Sequence, residues 1–350
     1  MIGSLGGHFE LLLTAAPTRA DYDYVWITSP GVRIEELRSS GRTVRELPRL
    51  DRGTLGLGAV WAGIRLAFHE RPTTVITSGA GLAVPFCLVS WLFGARLIFI
   101  ETMARVRGGS RSGQLLAKVT DDVIVQWPEL AQSSYPGAHV AFPTLLEGVN
   151  ADPDRTQPGA GTFVTVGSHD APFDRLLRMV DDAVAEDLLP RPVFVQHGVA
   201  PAVGAGIEGA PFIDPDQFGR RVREASLVIT HGGAGAIATA LRSGAKPLVI
   251  SRSAERGEHV DDHQSEIVEK LADLGLIVHV TAPRLTRDDV AAAAVPPRPY
   301  ETADRPTVGE TLESLLDQNS RSTPIRRRAL SFLLNSLRIA SGRLRPGRRS

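Results

Sequence analysis

Residues 227–243 read LVITHGGAGAIATALRS, and this stretch decides the fold. Leu227–Thr230 has the apolar, β-branched character of a buried strand, and Gly235–Ser243 has the pattern of a helix. Between them lies a glycine turn made of His231, Gly232, Gly233, Ala234 and Gly235. A strand, a tight turn and a helix in this order predict one unit of a parallel sheet. The free N–H groups at the start of such a helix suit a diphosphate, although glycines also form tight turns for steric reasons alone.

The same alternation of strands and helices continues on both sides of this stretch. In the first half the predicted strands are Tyr24–Thr28, Thr43–Leu47, Thr74–Thr77, Arg96–Ile100 and Asp122–Gln126. The helices between them are Gly31–Ser39, Leu55–Glu70, Leu82–Phe93 and Gly113–Thr120. In the second half the strands are Thr162–Val166, Pro192–Gln196, Leu227–Thr230, Pro247–Ile250 and Leu276–Val280. The helices there are Pro172–Glu186, Asp216–Ala225, Gly235–Ser243, His259–Leu274 and Gly309–Leu316.

Strands separated by helices predict an α/β fold with two doubly wound, Rossmann-like domains. Residues 147–161, EGVNADPDRTQPGAG, show no periodicity and separate the two halves. The predicted division is a first domain at residues 1–147, a linker at 148–161, a second domain at 162–317 and a tail at 318–350. Because ligands bind at the carboxyl ends of parallel strands, we expect a binding cleft between the two domains.

The start of the chain departs from this scheme. Residues 3–8, GSLGGH, have the form of the glycine turn that follows a first strand, yet only Met1 and Ile2 precede them. The first strand of such a sheet is normally central, and an empty slot leaves backbone groups unpaired. The sequence therefore predicts a missing first strand: either the true start lies upstream, or a partner or a later segment fills the slot.

The composition is that of a globular protein, with 43% hydrophobic and 22% charged residues. The single cysteine, Cys87, excludes a disulfide framework and a cysteine-based zinc site. The apolar stretch Leu82–Ile100 is interrupted by Pro85 and Arg96, so it is predicted to be buried core rather than a membrane span. No secretory signal peptide is expected at the start. The formal net charge of 0 argues against nucleic-acid binding driven by charge.

The second half contains two further candidate binding segments. Gly167 and Ser168 form another glycine turn after a predicted strand. Two such turns at one sheet edge favour diphosphate binding, with helix capping by Ser168 as the alternative. Residues 257–264, GEHVDDHQ, supply polar groups such as His263 and Gln264 that suit a hydroxyl-rich ligand. Pairing of His259 with His263 as metal ligands, or helix capping by the aspartates, remains open.

The first half contains a candidate base and a candidate acceptor site. His8 follows Gly6 and Gly7, and a neutral imidazole there can take a proton from a hydroxyl group. Glu101 follows a predicted strand and precedes Arg105 and Arg107, which suit an anionic acceptor. The simpler alternatives are a helix-start histidine and a surface ion pair.

The tail is strongly basic. Residues 321–350 contain nine arginines and no Asp or Glu. Leucines at helical spacing, Leu330, Leu333, Leu334 and Leu337, make this segment imperfectly amphipathic. We expect it to contact an anionic membrane surface, with packing across the domains as the alternative.

Several motifs resemble a known pair of proteins. Residues 1–150 resemble the membrane-recruiting subunit of the eukaryotic N-acetylglucosaminyltransferase that acts on dolichyl-diphosphate N-acetylglucosamine. The matching pieces are GSLGGH (3–8), TSGAG (77–81), IETMARV (100–106), SGQLL (112–116) and VQWPEL (125–130). Residues 162–280 resemble its catalytic partner, through FVTVGS (163–168), ITHGGAGA (229–236) and GEHVDDHQSEI (257–267). The chain thus resembles a bacterial fusion of the two halves, similar to exopolysaccharide glycosyltransferases and, in its C-terminal half, to glycosyltransferase family 28.

The resemblance implies a glycosyltransferase B-type fold and an inverting, metal-independent transfer of a sugar. The donor is a UDP-sugar, UDP-GlcNAc or a related UDP-hexose or hexuronate, and no other cofactor is implied. In the C-terminal half, Gly167, Ser168 and the turn His231–Gly235 are expected around the diphosphate, with Gln264 and His263 at the sugar. In the N-terminal half, the acceptor is a polyprenyl-diphosphate-linked saccharide. The residues implied there are His8 or Glu101 at the reacting hydroxyl, with Gly6, Gly7, Arg105 and Arg107 on the acceptor side.

The expected location is the cytoplasm, with peripheral attachment through Arg321–Ser350 to the inner face of the cell membrane. Three Asp-x-Asp triplets, which metal-dependent sugar transferases often use, lie at Asp21–Asp23, Asp152–Asp154 and Asp214–Asp216. We predict turn and capping roles for them. One departure is Thr239, which stands where the family usually has a glutamate that grips the ribose. A UDP-sugar epimerase and a non-catalytic UDP-sugar-binding scaffold remain as alternatives.

Overall fold

The chain divides into two α/β units, and each is built on a parallel sheet. Unit 1 comprises Met1–Thr144 together with the segment that begins at Arg305, and unit 2 comprises Leu145–Asp304. The computed structural model describes residues 1–4, 6–17, 22–31, 33–48, 57–120, 122–149, 159–167, 171–200, 204, 206–253, 258, 263–297, 300 and 305–318. The central part of the predicted linker and the whole basic tail lie outside these residues.

Unit 1 follows the predicted alternation. Its strands are β1 (Val25–Thr28), β2 (Thr43–Glu46), β3 (Thr74–Thr77), β4 (Arg96–Ile100), β5 (Asp122–Val125) and β6 (His139–Val140). Its helices are α1 (Gly7–Ala15), α2 (Arg33–Ser39), α3 (Leu57–Glu70), α4 (Ala83–Leu92), α5 (Arg111–Leu116), α6 (Pro128–Ser133) and α12 (Val308–Asp317). Strands β3, β4, β5 and β6 pair in that order, and β1 pairs with β2.

The first strand is not missing, and this corrects the prediction made from the short start. Ile2 forms parallel bridges to Ile27 of β1 and to Thr77 of β3. The Ile2 N–H donates to the Ile76 carbonyl at 2.9 Å, and the Ile27 N–H donates to the Met1 carbonyl at 2.8 Å. The Gly3 N–H also donates to the Ile27 carbonyl at 3.1 Å, so this short segment pairs with backbone groups of both flanking strands. Residues 1–3 therefore fill the central slot themselves.

Both faces of the unit 1 sheet are buried, as expected of a parallel sheet covered by helices. Along β4, Leu97 and Phe99 pack into one hydrophobic cluster, whereas Ile98 and Ile100 pack into another on the opposite face. The stretch from 82 to 100 consists of α4 and β4, and much of it is buried as predicted, but Leu92 and Phe93 at the end of α4 are exposed. Among the described residues, no helix is long and apolar enough to cross a membrane.

Helix α12 packs on unit 1, which corrects the predicted second domain of residues 162–317 at its C-terminal end. Val308, Leu312 and Leu315 join the cluster that covers β4 and β5. The Arg96 guanidinium donates to the Leu315 carbonyl and to the Gln318 carbonyl, so β4 caps the end of the helix. The apolar side of α12 packs on the sheet of unit 1, although the helix follows unit 2 in the sequence.

Unit 2 contains a six-stranded parallel sheet in the order β12-β11-β10-β7-β8-β9. Its strands are β7 (Thr162–Thr165), β8 (Val193–Gln196), β9 (Glu208–Ala210), β10 (Leu227–His231), β11 (Leu248–Ile250) and β12 (Val278–His279). Its helices are α7 (Asp174–Ala185), α8 (Pro215–Glu224), α9 (Ala234–Arg242), α10 (His263–Asp273) and α11 (Arg287–Ala294). The central strands β7 and β10 are adjacent, so their carboxyl ends share one edge.

Several short elements were not predicted. Strands β6 and β9 contain two and three residues, too few for a period to show. Helix α11 has the weak pattern RDDVAAAA, but Thr286 and Asp289 form a capping box at its start. Asp214 caps α8 by accepting from the Gln217 N–H at 2.8 Å, which confirms the capping role predicted for that triplet.

Candidate functional site

In unit 1, His8 lies in the first turn of α1 and is held by the turn that follows β3. Gly6, the residue before the helix, has φ +96°, a conformation that favours glycine. His8 Nδ1 lies 2.8 Å from the Ser78 carbonyl oxygen. Because a carbonyl only accepts, Nδ1 carries the hydrogen and Nε2 keeps its lone pair. Among the described residues, no group forms a hydrogen bond with Nε2.

The charge state of His8 suits a base. Burial lowers the pKa of His8, while the negative charge of Glu101 raises it and the positive charge of Arg105 lowers it. Burial is the largest of these effects, so the imidazole is neutral near pH 7. A neutral imidazole with a fixed tautomer and an available Nε2 can take a proton from a hydroxyl group.

Glu101, the other predicted catalytic residue, is fully buried at the end of β4. Its Oε1 accepts from the Thr102 N–H at 3.0 Å. Its Oε2 accepts from the Ser110 N–H at 2.8 Å and from the Tyr135 hydroxyl at 2.6 Å. Burial, together with the Glu101 charge, raises the pKa of Tyr135, so the phenol remains a donor. Both carboxylate oxygens of Glu101 therefore accept hydrogen bonds, two of them from the loop 102–110. This bonding favours a role in holding the loop over the predicted catalytic role.

The VQWPEL segment holds the same loop from the neighbouring strand. The Gln126 side-chain amide donates to the Glu101 carbonyl at 3.0 Å, and the Trp127 indole donates to the Met103 carbonyl at 2.7 Å. Trp127 is buried. Arg105 is half-buried and Arg107 is exposed on this loop. Both predicted acceptor-side arginines therefore follow β4 on a loop fixed by buried groups.

In unit 2, the two predicted glycine turns meet at one sheet edge. Gly167 has φ +82°, and a Cβ placed on it would lie 2.4 Å from the His231 ring. A Cβ on Gly233 would lie 2.2 Å from His231 Nε2. The His231 ring therefore fits between the two turns only because both positions are glycine.

Helix α9 starts at this junction, with Gly233 as its N-cap. A Cβ placed on Gly235 would meet nothing within 4 Å, so space is open beside the first turn of the helix. An open, glycine-lined helix N-terminus is suited to an anion such as a diphosphate. The Thr239 hydroxyl donates to the Gly235 carbonyl at 2.9 Å within the same helix. It therefore bonds to the helix backbone, whereas the glutamate expected at this position contacts the ribose.

The sequence did not single out three residues that support the Gly167 turn. The Thr165 hydroxyl accepts from the Gly167 N–H at 3.1 Å, and the Gln196 amide donates to the Gly167 carbonyl at 3.4 Å. Buried Arg252 donates to the Val166 carbonyl at 3.0 Å. Each of these three lies at or just beyond the end of a strand, and that position is the signal that could have identified them.

Some predicted site residues cannot be placed. Ser168, His259, Asp261 and Asp262 lie outside the described residues. Helix α10 begins at His263, but the side chains of His263 and Gln264 also lie outside them.

Two family matches divide the chain at the same place as the sequence motifs. Residues 42–142 match "Oligosaccharide biosynthesis protein Alg14 like", and residues 162–307 match "Glycosyltransferase family 28 C-terminal domain". The chain thus combines an Alg14-like segment with a family 28 C-terminal domain, which confirms the resemblance to a fused two-subunit glycosyltransferase.

Individual relatives agree with this division. The human UDP-N-acetylglucosamine transferase subunit ALG14 is 33% identical over 86 residues, which are 23% of this chain and 39% of that protein. The chain therefore aligns with well under half the length of this relative. Among solved structures, MurG of Acinetobacter baumannii has a TM-score of 0.62 at 17% identity, covering 90% of this chain and 97% of MurG. The UDP-GlcNAc 2-epimerase of Methanocaldococcus jannaschii has a TM-score of 0.61 at 9% identity, with coverage of 90% and 97%. These neighbours, together with the two parallel sheets, confirm the predicted α/β, glycosyltransferase B-type fold.

Proposed function

We propose that this chain is an inverting, metal-independent glycosyltransferase. It transfers a sugar, N-acetylglucosamine or a related hexose or hexuronate, from a UDP-sugar to a polyprenyl-diphosphate-linked saccharide during synthesis of a cell-surface polysaccharide. The observation that carries the proposal is the His8–Ser78 contact, which leaves a neutral imidazole with Nε2 available in the Alg14-like half of a chain whose other half matches family 28.

The choice of donor and acceptor is supported by the relatives. The matched human protein is named as a subunit of a UDP-N-acetylglucosamine transferase. The archaeal epimerase has also been solved in complex with UDP-GlcNAc and UDP. That structure has a TM-score of 0.56 and covers 89% of this chain. A UDP-sugar donor and a lipid-linked acceptor are the substrates that agree with both halves.

His8 acts as the general base in the proposed reaction. The acceptor hydroxyl attacks the anomeric carbon of the donor, and Nε2 of His8 takes the hydroxyl proton. The bond between that carbon and the UDP oxygen breaks as the new glycosidic bond forms on the opposite face, which inverts the configuration. A positioned base contributes about 10²–10⁴-fold to such a step.

Unit 2 stabilises the departing UDP. The start of α9 presents N–H groups and the positive end of the helix dipole to the diphosphate, and Gly167, Ser168 and the His231–Gly235 turn surround it. Gln264 and His263, at the start of α10, bind the sugar. Fixed dipoles of this kind supply the stabilisation that a metal ion supplies in other transferases.

Glu101 acts indirectly. It holds the loop with Arg105 and Arg107, which attract the acceptor diphosphate, and Gly6 and Gly7 allow the acceptor close to His8. Its negative charge also stabilises the imidazolium that forms when His8 takes the proton, since Glu101 raises the pKa of His8.

An exposed apolar surface on unit 1 supports peripheral attachment to the inner face of the cell membrane. Of the eight large apolar side chains that are exposed among the described residues, five lie on α3 or at the end of α4: Leu57, Trp61, Phe68, Leu92 and Phe93. Trp61 is 69% exposed, and Phe68 packs against Phe93 with ring centroids 4.8 Å apart. Contiguous exposed apolar residues mark interaction surfaces. This surface, the α3–α4 patch, inserts into the lipid while Arg321–Ser350 contacts anionic headgroups.

Two other functions make distinct predictions. The similarity in fold to UDP-GlcNAc 2-epimerases favours an epimerase as the second candidate. An epimerase converts its UDP-sugar without any acceptor. A scaffold protein binds UDP without turnover, and Thr239 in place of glutamate agrees with such weakened donor use.

Transfer of label from a UDP-sugar to a lipid acceptor tests the proposal. The full chain is incubated with radiolabelled UDP-GlcNAc and synthetic polyprenyl-diphosphate-linked N-acetylglucosamine, then with other UDP-sugars, and label in the lipid phase is counted. Acceptor-dependent label that is lost in His8→Gln supports the proposal. Conversion of the UDP-sugar without acceptor identifies an epimerase, and UDP binding without turnover on any donor identifies a scaffold.

A further inference from the structure

Arg252 is a buried cation at the carboxyl edge of the unit 2 sheet, two residues beyond β11. It is 3% exposed. Its Nη2 donates to the Val166 carbonyl at 3.0 Å, and its Nη1 donates to the Ala171 and Pro172 carbonyls, both at 3.1 Å. One guanidinium therefore fastens both ends of the turn that contains Gly167 and Ser168.

The same guanidinium reaches the start of the GEHVDDHQ block. Arg252 Nη1 also donates to the Glu258 carbonyl at 3.2 Å. The Glu258 carboxylate accepts from Arg175 Nε at 3.0 Å, from Arg175 Nη2 at 2.9 Å and from the Ser253 N–H at 3.0 Å. Arg252 thus connects the Gly167 turn to the start of the GEHVDDHQ block, which is expected to bind the sugar.

Among the described residues, this cluster contains two cations, Arg252 and Arg175, and one carboxylate, that of Glu258. Glu258 forms its ion pair with Arg175, and among the described residues every hydrogen bond of Arg252 goes to a main-chain carbonyl. The Phe173 ring lies near both cations, with its centroid 4.6 Å from Arg252 Cζ and 5.2 Å from Arg175 Cζ. Arg252 Nε is buried with no partner among the described residues. Burying a cation in this way is costly unless an anion nearby offsets it.

We propose that Arg252 is a positioning residue for the donor diphosphate: it holds the Gly167 turn in shape and places a buried positive charge beneath it. This inference rests on the proposed binding of a UDP-sugar by unit 2. Arg252 itself does not contact the donor, because its Nη1 and Nη2 groups donate to main-chain carbonyls. The positive potential of Arg252 adds to that of the α9 N-terminus. It therefore strengthens binding of a nucleoside diphosphate relative to the nucleoside alone.

The test compares UDP with uridine. Isothermal titration of the full chain gives the dissociation constant of each ligand for wild type, Arg252→Lys and Arg252→Gln. Removing the charge should weaken UDP binding about tenfold or more while uridine binding changes by less than about twofold, because only UDP carries the diphosphate. Arg252→Lys, which keeps the charge but loses the fork of donors, should fall between wild type and Arg252→Gln. Unchanged UDP binding, or an equal loss for both ligands, overturns the proposal.

A second variant covers the case in which Arg252→Gln does not fold. Glu258→Gln removes the one carboxylate that the described residues place in the cluster and leaves both arginines, so the preference for UDP over uridine should rise. A fall in that preference contradicts the proposal. If the wild-type chain binds neither ligand, the proposed function itself fails; if it prefers UDP and the variants do not alter that preference, only the role of Arg252 fails.

Discussion

His8 and Ser78 bind each other twice across 70 residues of sequence. His8 Nδ1 donates to the Ser78 carbonyl at 2.8 Å, and the Ser78 hydroxyl donates to the His8 carbonyl at 2.9 Å. Ser78 is fully buried, so the contact is shielded from water. The pair fixes both the tautomer of the imidazole and its position at the start of α1. The proposed role of His8 as a general base depends on this contact.

His8→Gln should lower kcat by about 10²–10⁴-fold, because glutamine cannot take the acceptor proton. Donor affinity should stay close to that of wild type, since the donor binds to unit 2. The measurement is steady-state transfer kinetics together with isothermal titration of UDP. A variant that loses affinity but keeps kcat would show that His8 binds substrate rather than moving a proton.

The pH dependence of wild type gives a second view of the same residue. Burial lowers the pKa of His8 from its ordinary value of 6.5, and the base works only when neutral. The value of kcat/KM should therefore be at its maximum above pH 6.5 and should fall as the pH drops through the lowered pKa of His8. An acid limb with its midpoint above 6.5, in a profile of kcat/KM corrected for enzyme stability, would contradict this assignment.

Glu101→Gln should both destabilise unit 1 and shift this acid limb. The amide presents N–H groups where Thr102, Ser110 and Tyr135 already donate, so we expect a loss of about 2–4 kcal/mol in the free energy of unfolding. Loss of the negative charge that raises the pKa of His8 should move the limb to lower pH. The measurements are urea unfolding and the kcat/KM profile of the folded variant.

Tyr135→Phe is the matched control for Glu101. It removes one hydrogen bond to the carboxylate but keeps the charge, so it should cost about 1–2 kcal/mol and leave the acid limb in place. An acid limb that moves upward in Glu101→Gln, or that moves equally in both variants, would show that the charge of Glu101 does not act on His8.

Gly167→Ala should abolish tight binding of the donor. The new Cβ would lie 2.4 Å from the His231 ring, and φ +82° adds a cost of about 1–2 kcal/mol for an L residue. His231 must then leave its place between the two turns, which disturbs the edge where the diphosphate binds. Isothermal titration of UDP measures the loss.

Gly58→Ala serves as the control for Gly167. A Cβ on Gly58, in the first turn of α3, meets nothing within 4 Å. This variant should bind UDP as wild type does, because it lies outside both candidate sites. If Gly167→Ala also binds UDP normally, the edge formed by Gly167 and His231 is not the donor site.

The sequence predicted the alternation of strands and helices well because most strands are buried on both faces and read as continuous apolar runs. Arg96–Ile100 and Thr74–Thr77 have the bounds that their patterns predicted. The central position of Ile2 was wrongly predicted to be empty, because two flanking strands can pair with a segment too short to show a pattern. The return of α12 to unit 1 depends on contacts with β4 and β5, which no local pattern encodes.

The candidate site was predictable where glycine carries the signal. Gly167 and Gly233 stand at close approaches that only glycine permits, and both were singled out from the sequence. The carbonyl contacts of Arg252 were not predictable, because an arginine after a strand is ordinary and its role depends on backbone atoms about 80 residues away in sequence.

The α3–α4 patch should contribute to membrane binding. Trp61→Ser should weaken binding to vesicles that contain anionic lipid by about tenfold, because it removes a large apolar side chain from the lipid boundary. Phe212→Ser, which changes a side chain that is 51% exposed on unit 2, is the control and should bind as wild type does. Deletion of residues 321–350 should cause a larger loss that depends on salt. Vesicle sedimentation measures all three, and full binding by the Trp61 variant would place the lipid contact elsewhere.

Titration of the full chain with UDP, once in magnesium and once in EDTA, tests the central claim most directly. We expect micromolar binding with the same dissociation constant in both buffers, because the Gly167 turn and the start of α9 hold the diphosphate without a metal ion. Binding that appears only in magnesium would contradict the metal-independent mechanism, and no binding in either buffer would contradict the donor site itself.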